Sequence, residues 1–390
     1  MLAACGGPES KAATEPGVPV VPVVPGVPGS AASGASDGGI ESRAAEAHRR
    51  ADAALQALVA HFWDPQGAFT MAPDGSAAAH YWIAAQALDA VLDGVERSGG
   101  RHWAELPGVF VRAQEVRGWR RNFFDDEAWM AIALLRAYDL TGDTLAKDRA
   151  EALVQDIESS APDATCCGSQ PGGLWWDRQH TQKATAANAG TVIAAVRLFA
   201  RGGEARHLDF ARKVFADWSA QMVDPASGQV ADHVLPSGEK VWWRFSYNEG
   251  TMIGAALELH RATGDAAYLD SARRIGAFLA AKETVSSAAG AVLSDGPGCT
   301  GDCDQFKGIA QRYLAALAVA DPAGGWGALV QTNAEAIWSL ARDPDRDLFG
   351  VDWAGLGGSA GSVGSVNLAS QSSAAMALSV AAEAAGPYPE

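Results

Sequence analysis

The sequence predicts an all-α protein folded as an (α/α)6 toroid of about twelve helices. Apolar residues recur at helical spacing in twelve successive segments, and β-type alternation is nearly absent. Short connections that carry a glycine alternate with long loops, which is the pattern of helix pairs closed into a ring. An open helical solenoid is the alternative, because the number of helices alone does not distinguish the two folds.

The predicted helices begin near residue 43 and continue almost to the end of the chain, each assigned from its apolar stripe. The segments are 43–62, 81–97, 105–116, 125–141, 144–158, 183–201, 205–220, 246–263, 266–284, 305–320, 326–341 and 367–385. Residues 229–235 and 240–245 alternate in polarity on either side of Pro236-Ser237-Gly238. This pattern predicts one β-hairpin between the seventh and eighth helices.

Three short connections repeat at a spacing of 61 residues. Gly142, Gly203 and Gly264 each follow a predicted helix, and an Asp or Glu comes directly after each glycine. Glycine ends a helix readily because it adopts the left-handed conformation, and an acid is favourable at the N-terminus of the next helix. We expect these turns on one face of the ring, and the long loops on the other face, where they form a cleft.

The charge and composition exclude several classes of protein. The 390 residues contain 30 Lys and Arg against 46 Asp and Glu, which gives a formal net charge of −16. Such a surface repels phosphate backbones, so no nucleic-acid partner is expected. A hydrophobic fraction of 48% excludes a disordered chain, and no apolar run predicts a transmembrane helix. The 13 Trp residues suit a sugar-binding cleft, and we expect a monomer.

The first 41 residues differ from the rest of the chain. Leu2-Ala3-Ala4-Cys5 is similar to the lipobox of bacterial lipoproteins, with Cys5 as the lipidation site, although the longer signal that usually precedes it is missing. Residues 8–40 are rich in Pro, Gly, Ala, Ser and Val and predict an extended tether. We therefore expect a tether over 1–41, a single catalytic domain over 42–390, and an exported cell-surface or periplasmic lipoprotein whose membrane contact is its lipid anchor. A tail without function is the alternative.

No metal or organic cofactor is predicted. The other cysteines are Cys166, Cys167, Cys299 and Cys303. Their spacing fits no zinc site, whereas export would permit disulfides, whose pairing the sequence does not give. Asp302 and Asp304 are candidate ligands for a structural calcium ion, so this alternative stays open. No phosphate-binding glycine loop follows a strand.

Three consecutive acids, Asp125, Asp126 and Glu127, begin the fourth predicted helix. Acids at this position often do no more than satisfy free N–H groups and the helix dipole. Here aromatic residues flank them on both sides, and a long loop precedes them, so we expect them to face the cleft. Adjacent helical residues bring carboxyl oxygens near the separation of about 5–5.5 Å found in retaining glycosidases. Repulsion between close carboxylates raises the pKa of one of them, which keeps one protonated and the other ionised.

The segment Phe123-Phe124-Asp125-Asp126-Glu127-Ala128-Trp129 resembles the paired-aspartate signature of glycoside hydrolase family 76, the bacterial endo-α-1,6-mannanases and their fungal relatives. Further segments resemble the family's motifs in the same order: Gly172-Gly173-Leu174-Trp175-Trp176 with Lys183 and Asn188, Phe245-Ser246-Tyr247-Asn248-Glu249-Gly250, Asp304-Gln305-Phe306-Lys307-Gly308-Ile309 with Arg312, and Asn333-Ala334-Glu335-Ala336-Ile337-Trp338. The resemblance implies an (α/α)6 barrel and retaining cleavage of α-1,6-mannosidic bonds. It makes Asp125 the nucleophile and Asp126 the general acid/base. Glu249 departs from an expected Gln, and residues 177–182 match no motif of the family.

Twelve residues are candidates for substrate binding, from their position or from the resemblance. They are Trp129, Trp175, Trp176, Asn188, Trp243, Tyr247, Asn248, Glu249, Asp304, Phe306, Lys307 and Arg312. Most have an ordinary structural alternative. For the tryptophans, the alternative to stacking on sugar rings is packing in the core. For Asn248 and Asp304 it is capping of a helix, and for Lys307 and Arg312 it is an ion pair instead of a hydrogen bond to a sugar hydroxyl.

Together, the residues and the resemblance predict a retaining glycoside hydrolase that acts on α-1,6-mannan. The alternatives are a transglycosidase on mannose-containing glycans and a non-catalytic surface lipoprotein that binds carbohydrate. Another (α/α)6 enzyme, such as an epimerase or an unsaturated-uronide hydrolase, fits the helices but lacks the motif blocks.

Overall fold

The computed structural model describes residues 37–167, 172–296, 299–357 and 365–389. Twelve α-helices lie within these ranges. They are α1 (Asp37–Phe62), α2 (Tyr81–Arg97), α3 (Leu106–Arg117), α4 (Phe124–Thr141), α5 (Thr144–Ser160), α6 (Thr185–Ala200), α7 (Ala205–Met222), α8 (Ser246–Thr263), α9 (Ala266–Lys282), α10 (Cys303–Ala320), α11 (Trp326–Leu340) and α12 (Leu368–Ala385). The lipidation site predicted at Cys5 and most of the predicted tether lie outside the described residues.

The even-numbered helices form a closed inner ring. α2 packs on α4, and contacts continue through α6, α8 and α10 to α12, which packs back on α2. The odd-numbered helices lie outside this ring: α5, α7, α9 and α11 each pack on the inner helix that precedes them, and α1 packs on α12. Because the ring closes, the (α/α)6 toroid is confirmed, and the open solenoid is wrong.

Small residues let the inner helices approach closely. A Cβ atom on Gly250 of α8 would lie 2.6 Å from the Cα atom of Ala310 on α10. A Cβ atom on Gly308 of α10 would lie 2.6 Å from the Cα atom of Ser373 on α12. Both distances are far below van der Waals contact, so these two crossings require glycine.

Two of the three repeated turns have the predicted geometry. Gly142 and Gly264 cap α4 and α8 in the left-handed conformation, each with a φ of 72°. Asp143 and Asp265 then cap the next helices, accepting hydrogen bonds from main-chain N–H groups at 3.0 and 2.9 Å. At the third turn Glu204 accepts no capping bond and instead pairs with Arg206 at 2.9 Å.

The inner helices all point the same way. Short connections follow α4, α6, α8 and α10, and long loops precede α2, α6, α8, α10 and α12, so the N-terminal ends lie on the loop face. The loop before α4 covers only residues 118–123, so the long loop expected before Asp125 is not observed. Unpaired N–H groups and the positive ends of the helix dipoles therefore converge on the loop face. This electrostatic environment favours carboxylates there.

The loops contain nine short strands within the described residues. They are β1 (Trp63–Asp64), β2 (Ala68–Phe69), β3 (Lys183–Ala184), β4 (His233–Val234), β5 (Lys240–Val241), β6 (Thr284–Ser287), β7 (Gly290–Leu293), β8 (Arg342–Asp343) and β9 (Leu348–Phe349). β4 and β5 pair antiparallel, which confirms the predicted hairpin, although its paired part is shorter. β3 also pairs with β4, so the loop before α6 lies beside this hairpin.

Both pairs of the remaining cysteines form disulfides. Cys166 is bonded to its neighbour Cys167, and Cys299 is bonded to Cys303 at the start of α10. Among the described residues, no group of His, Cys, Asp and Glu side chains is arranged to hold a metal ion. None of the described helices has the length and apolar character needed to cross a bilayer.

Candidate active site

Asp125 and Asp126 lie in the first turn of α4, partly exposed on the loop face of the ring. The residue before the helix, Phe123, is extended and pairs with Asp177 in an isolated β-bridge. The N–H of Phe124 donates a hydrogen bond of 2.8 Å to the carbonyl oxygen of Trp176. The loop between α5 and α6 thus runs along the start of α4, next to Asp125.

Asp125 accepts two hydrogen bonds. The indole Nε1 of Trp176 donates to its Oδ2 at 2.8 Å, and the main-chain N–H of Asp126 donates to its Oδ1 at 3.0 Å. The Trp176 ring also lies 4.5 Å from that of Phe123, between ring centroids. The structure therefore brings predicted residues Trp176 and Asp125 into direct contact.

The two aspartates have different environments. Burial raises the pKa of both carboxyls, and the pKa of Asp126 is raised further by the negative charge of Asp125. The hydrogen bonds from Trp176 and from the Asp126 N–H favour the ionised form of Asp125. Asp125 is therefore the easier of the two carboxyls to ionise, and Asp126 is the one that binds a proton more tightly.

A buried ion network fixes the start of α4. Glu127 is fully buried, and its Oε1 accepts hydrogen bonds of 2.7 Å from the N–H of Arg121 and from Nη2 of Arg178. Arg178 also pairs with Asp156 and donates from Nε to the carbonyl oxygen of Arg121 at 2.8 Å. Burial raises the pKa of Glu127 to about 7. Arg178 belongs to the segment 177–182 that matched no motif, so its contribution was missed from the sequence.

The start of α8 forms another wall of the site. The ring of Tyr247 stacks on that of Phe306, with centroids 4.0 Å apart and planes at 21°. The Tyr247 hydroxyl donates to Oδ1 of Asp232 at 3.2 Å, and Nδ2 of Asn248 donates to the same oxygen at 3.0 Å. Burial and the nearby charges of Asp232 and Asp125 raise the pKa of Tyr247. This wall therefore lies within electrostatic range of Asp125.

Asp232 is a site residue that the sequence analysis missed. Its Oδ1 accepts hydrogen bonds from Tyr247 and Asn248, and its Oδ2 lies 2.7 Å from Nδ1 of His233. It lies just before β4, inside the predicted hairpin, and no local pattern distinguished it from the other acids of the chain. Its partners Tyr247 and Asn248 lie at the start of α8, on the other side of the hairpin, and a local pattern does not show that the chain returns there.

Acids at the start of α10 complete the rim. Asp304 is 5% exposed, and its Oδ2 accepts from Nδ2 of Asn367 at 2.7 Å, whereas its Oδ1 has no partner among the described residues. Asp302 is exposed and accepts from the indole Nε1 of Trp82 at 3.3 Å. Its charge raises the pKa of Asp125 and Asp126. The sequence indicates Asp302 only as a calcium ligand, and it does not indicate Trp82 as a site residue.

A line of aromatic rings leads outward from the stacked Tyr247 and Phe306. Phe306 lies 5.2 Å from Phe245, which lies 5.6 Å from Trp243, between ring centroids. Trp243 is 54% exposed, and its neighbour Trp242 is 40% exposed. Trp243 is thus the outer, solvent-facing end of this line.

The structure places Arg312 and Trp129 away from the cleft surface. Arg312 makes two hydrogen bonds to Asp93, at 2.8 and 2.7 Å, and lies 3.1 Å from Asp89. Trp129 is 5% exposed and borders the same interior region, next to a cavity of about 10 Å³. The structural alternative is therefore correct for Arg312, because its guanidinium balances buried acids of α2.

Asn188 and Trp175 support the loop before α6 and do not line the cleft. Asn188 accepts from the N–H of Leu174 at 2.8 Å and donates to the carbonyl oxygens of Leu174 and Ala184 at 3.1 and 2.8 Å. Trp175 is 8% exposed and stacks on His180, with centroids 4.8 Å apart. Since these contacts use both polar atoms of Asn188 and cover Trp175, neither side chain is free to bind a sugar.

Asn248, Glu249 and Lys307 are buried behind the Tyr247 wall. Asn248 and Glu249 have no exposed surface, and Lys307 is 4% exposed. Glu249 accepts from the N–H of Val230 at 2.8 Å, and Nζ of Lys307 lies 3.8 Å from Oδ2 of Asp295. The expectation that these three contact substrate is not met in this conformation, because their polar groups are turned toward the protein interior.

Comparison with known proteins agrees with the fold. The sequence profile of glycosyl hydrolase family 76 matches residues 46–389, and no curated protein matches the chain. The α-1,6-mannanase of this family from Salegentibacter sp. HEL1_6 is 28% identical, over 86% of this chain and 99% of its own, with a TM-score of 0.76. An inactive variant of that enzyme, with two aspartates replaced by asparagine, was solved in complex with α-1,6-mannotriose.

Two further structures have the same fold. The Lin0763 protein of Listeria innocua is 25% identical over 88% of this chain and 99% of its own, with a TM-score of 0.77. Dfg5 of Chaetomium thermophilum, in complex with glucosamine, is 18% identical over 88% of this chain and 92% of its own, with a TM-score of 0.67. The match of the family profile over most of the chain shows that this protein belongs to glycosyl hydrolase family 76.

Proposed function

We propose that this protein is a retaining endo-α-1,6-mannanase whose nucleophile is Asp125 and whose general acid/base is Asp126. One observation carries the proposal. Two adjacent, partly buried carboxyls begin α4, and Asp125 accepts hydrogen bonds from the Trp176 indole and the Asp126 N–H, which favour its ionised form over that of Asp126. The Salegentibacter mannanase supports the substrate class, because its inactive double-aspartate variant binds α-1,6-mannotriose.

The reaction follows from the two protonation states. Asp126 gives its proton to the glycosidic oxygen while Asp125 attacks the anomeric carbon, so the C–O bond breaks and a glycosyl ester forms on Asp125. Asp126, now ionised, removes a proton from water, and the water oxygen attacks the anomeric carbon and releases Asp125. Two inversions at that carbon retain its configuration.

The surrounding residues assist charge development at the pair. The indole N–H of Trp176 and the N-terminal end of α4 stabilise Asp125 as an anion before attack and after release. The stacked Tyr247 and Phe306 rings offer an apolar wall beside the pair, which suits the C–H face of a pyranose.

A product assay with residue variants tests this function. Wild-type protein and the Asp125→Ala and Asp126→Ala variants would be incubated with a linear α-1,6-mannan, with circular dichroism as the control for folding. Wild-type protein alone should release oligosaccharides, whose first anomer by NMR is α. Products longer than the substrate would indicate a transglycosidase, and binding without turnover in the wild type would indicate a carbohydrate-binding protein.

Azide distinguishes the roles of the two aspartates. With an aryl α-1,6-mannooligosaccharide and azide, Asp126→Ala should form the α-azide, because the glycosyl ester on Asp125 still forms and azide needs no base. Asp125→Ala should form the β-azide by direct attack. If the two variants gave the opposite anomers, the assignment of nucleophile and acid/base would be reversed.

A further inference from the structure

A cluster of charged side chains is buried behind the Tyr247 wall. It consists of Glu249 on α8, Glu283 at the end of α9, Asp295 after β7, and Lys307 on α10. Their exposed fractions are 0%, 2%, 9% and 4%. Three buried carboxylates cannot be balanced by one ammonium group, so at least one of the carboxyls carries a proton in the folded protein.

Burial raises the pKa of all three carboxyls, but their partners differ. Asp295 accepts from the N–H of Ser246 at 2.6 Å, and its Oδ2 lies 3.8 Å from Nζ of Lys307, so the ammonium charge balances Asp295. Oε1 of Glu249 accepts from the N–H of Val230 at 2.8 Å. No N–H or hydroxyl donor of the described residues reaches Oε2 of Glu249 or either oxygen of Glu283.

The two glutamates instead face each other across the α8–α9 contact, close enough to form a hydrogen bond. Such a bond requires a proton between the carboxyl groups. Burial raises the pKa of both, and each is raised further by a neighbouring carboxylate, Glu283 for Glu249 and Asp295 for Glu283. Arg244 opposes this effect at Glu283, but its Nη1 donates to the carbonyl oxygen of Lys282.

We propose that Glu249 and Glu283 share one proton and that this protonated pair positions the first turn of α8, which carries Tyr247 and Asn248. When the proton is lost, two buried carboxylates repel each other across the α8–α9 contact. The first turn of α8, including Tyr247, then becomes less well ordered, and the site binds substrate more weakly. The stability part of this proposal is independent of the proposed function, and the substrate part rests on it.

The shared proton determines how the stability of the folded protein changes with pH. An unfolded Glu has a pKa of about 4.3, and the folded pair binds its proton more tightly, so its stabilisation is complete below that pH. It is lost as pH rises through the higher folded pKa. Glu249→Gln keeps an acceptor for Val230 and gives a permanent N–H donor to Glu283. The variant should match the wild type in Tm near pH 4 and exceed it by a margin that grows toward pH 9, reaching about 2 °C or more.

Glu258 is the matched control on the same helix. It is also buried, but Arg197 and Arg261 bind it at 2.7 and 2.6 Å and, against the effect of burial, hold its pKa below the usual range. Glu258→Gln should therefore lower Tm at neutral pH, with a difference that shrinks toward acid. Glu283→Gln should repeat the behaviour of Glu249→Gln. Equal pH slopes in the wild type and both pair variants would overturn the shared proton.

Substrate binding tests the positioning role. In the Asp125→Asn/Asp126→Asn double variant the catalytic pair no longer titrates, so calorimetry with α-1,6-mannotriose reports the rest of the site. Affinity should fall about 3-fold or more between pH 6 and pH 9, and the added Glu249→Gln substitution should remove this loss. An unchanged loss would overturn the positioning role. Absence of binding at pH 6 would contradict the proposed function and leave the result from Tm standing.

Discussion

The hydrogen bond from Trp176 to Asp125 connects a single indole N–H to the protonation state of the proposed nucleophile. Trp176→Phe keeps an aromatic ring beside Phe123 and removes this donor. A charge-assisted hydrogen bond contributes about 1.5–3 kcal/mol, so kcat should fall roughly 10- to 100-fold. Because the bond favours the ionised form, its loss raises the pKa of Asp125. The acid limb of the kcat/KM profile, which needs Asp125 ionised, should move to higher pH.

The Trp175→Phe variant is the control for this measurement. Trp175 is the neighbouring tryptophan, but it stacks on His180 and has no hydrogen bond to the catalytic pair. Its substitution should change stability more than it changes the acid limb. If the acid limb stayed in place in Trp176→Phe, the indole N–H would have no effect on the titration of Asp125.

At this scale the sequence predicts the residues whose neighbours in the chain carry the signal. Asp125 and Asp126 stand out because aromatics flank them and a helix begins there. Asp232, Asp302 and Trp82 have no such local signal, and their roles appear only in the contacts of the folded chain. The same limit explains Arg312, whose partners on α2 are more than two hundred residues earlier in the chain.

The loop between β5 and α8 is the element that extends the site outward. Its exposed Trp243 continues the line of rings from Tyr247 and Phe306 through Phe245. On the proposed function, this ring stacks on a sugar distant from the cleaved bond. Trp243→Ala should therefore raise KM about 3- to 10-fold for a long α-1,6-mannan, and leave kcat/KM for α-1,6-mannotriose nearly unchanged.

Two comparisons make this test specific. Trp243→Phe should recover most of the affinity for the polymer, because it retains a flat apolar ring. Val319→Ala replaces another exposed apolar residue on α10, outside the line of rings, and should change neither substrate. An equal loss for polymer and trisaccharide in Trp243→Ala would place the ring next to the cleaved bond.

Helices with a long periodic stripe of apolar residues are predicted well from the sequence, whereas short strands are not. The twelve helices differ from their predicted limits by a few residues, with the largest difference at the start of α1. The sequence does not predict the hairpin of β6 and β7, because each strand has only four residues and β6 begins almost directly after α9. The predicted ninth helix therefore ran to residue 284, where the structure ends α9 at Lys282.

At the scale of the whole molecule, ring closure depends on the distance between inner helices. The N–H of Gly308 donates to Oγ of Ser373 at 2.9 Å, and an added Cβ atom would lie 2.6 Å from the Ser373 Cα atom. The periodicity of α10 and α12 predicts two helices, but it does not show that they cross at a glycine. The crossing matters for the site, because α10 carries Phe306 and Asp304 at its loop-facing end.

Gly308→Ala should therefore force α10 away from α12 and destabilise the protein by about 1–3 kcal/mol, measured by urea unfolding. Gly327→Ala is the matched control, because Gly327 is also in a helix and an added Cβ atom there meets no other atom within 4 Å. That control should be neutral or more stable by up to about 1 kcal/mol, since alanine favours the helix. If both variants unfolded at the same urea concentration, the close crossing would not limit stability. If Gly308→Ala alone lost stability and also raised KM for α-1,6-mannan, the spacing of the inner ring would set the geometry of the cleft.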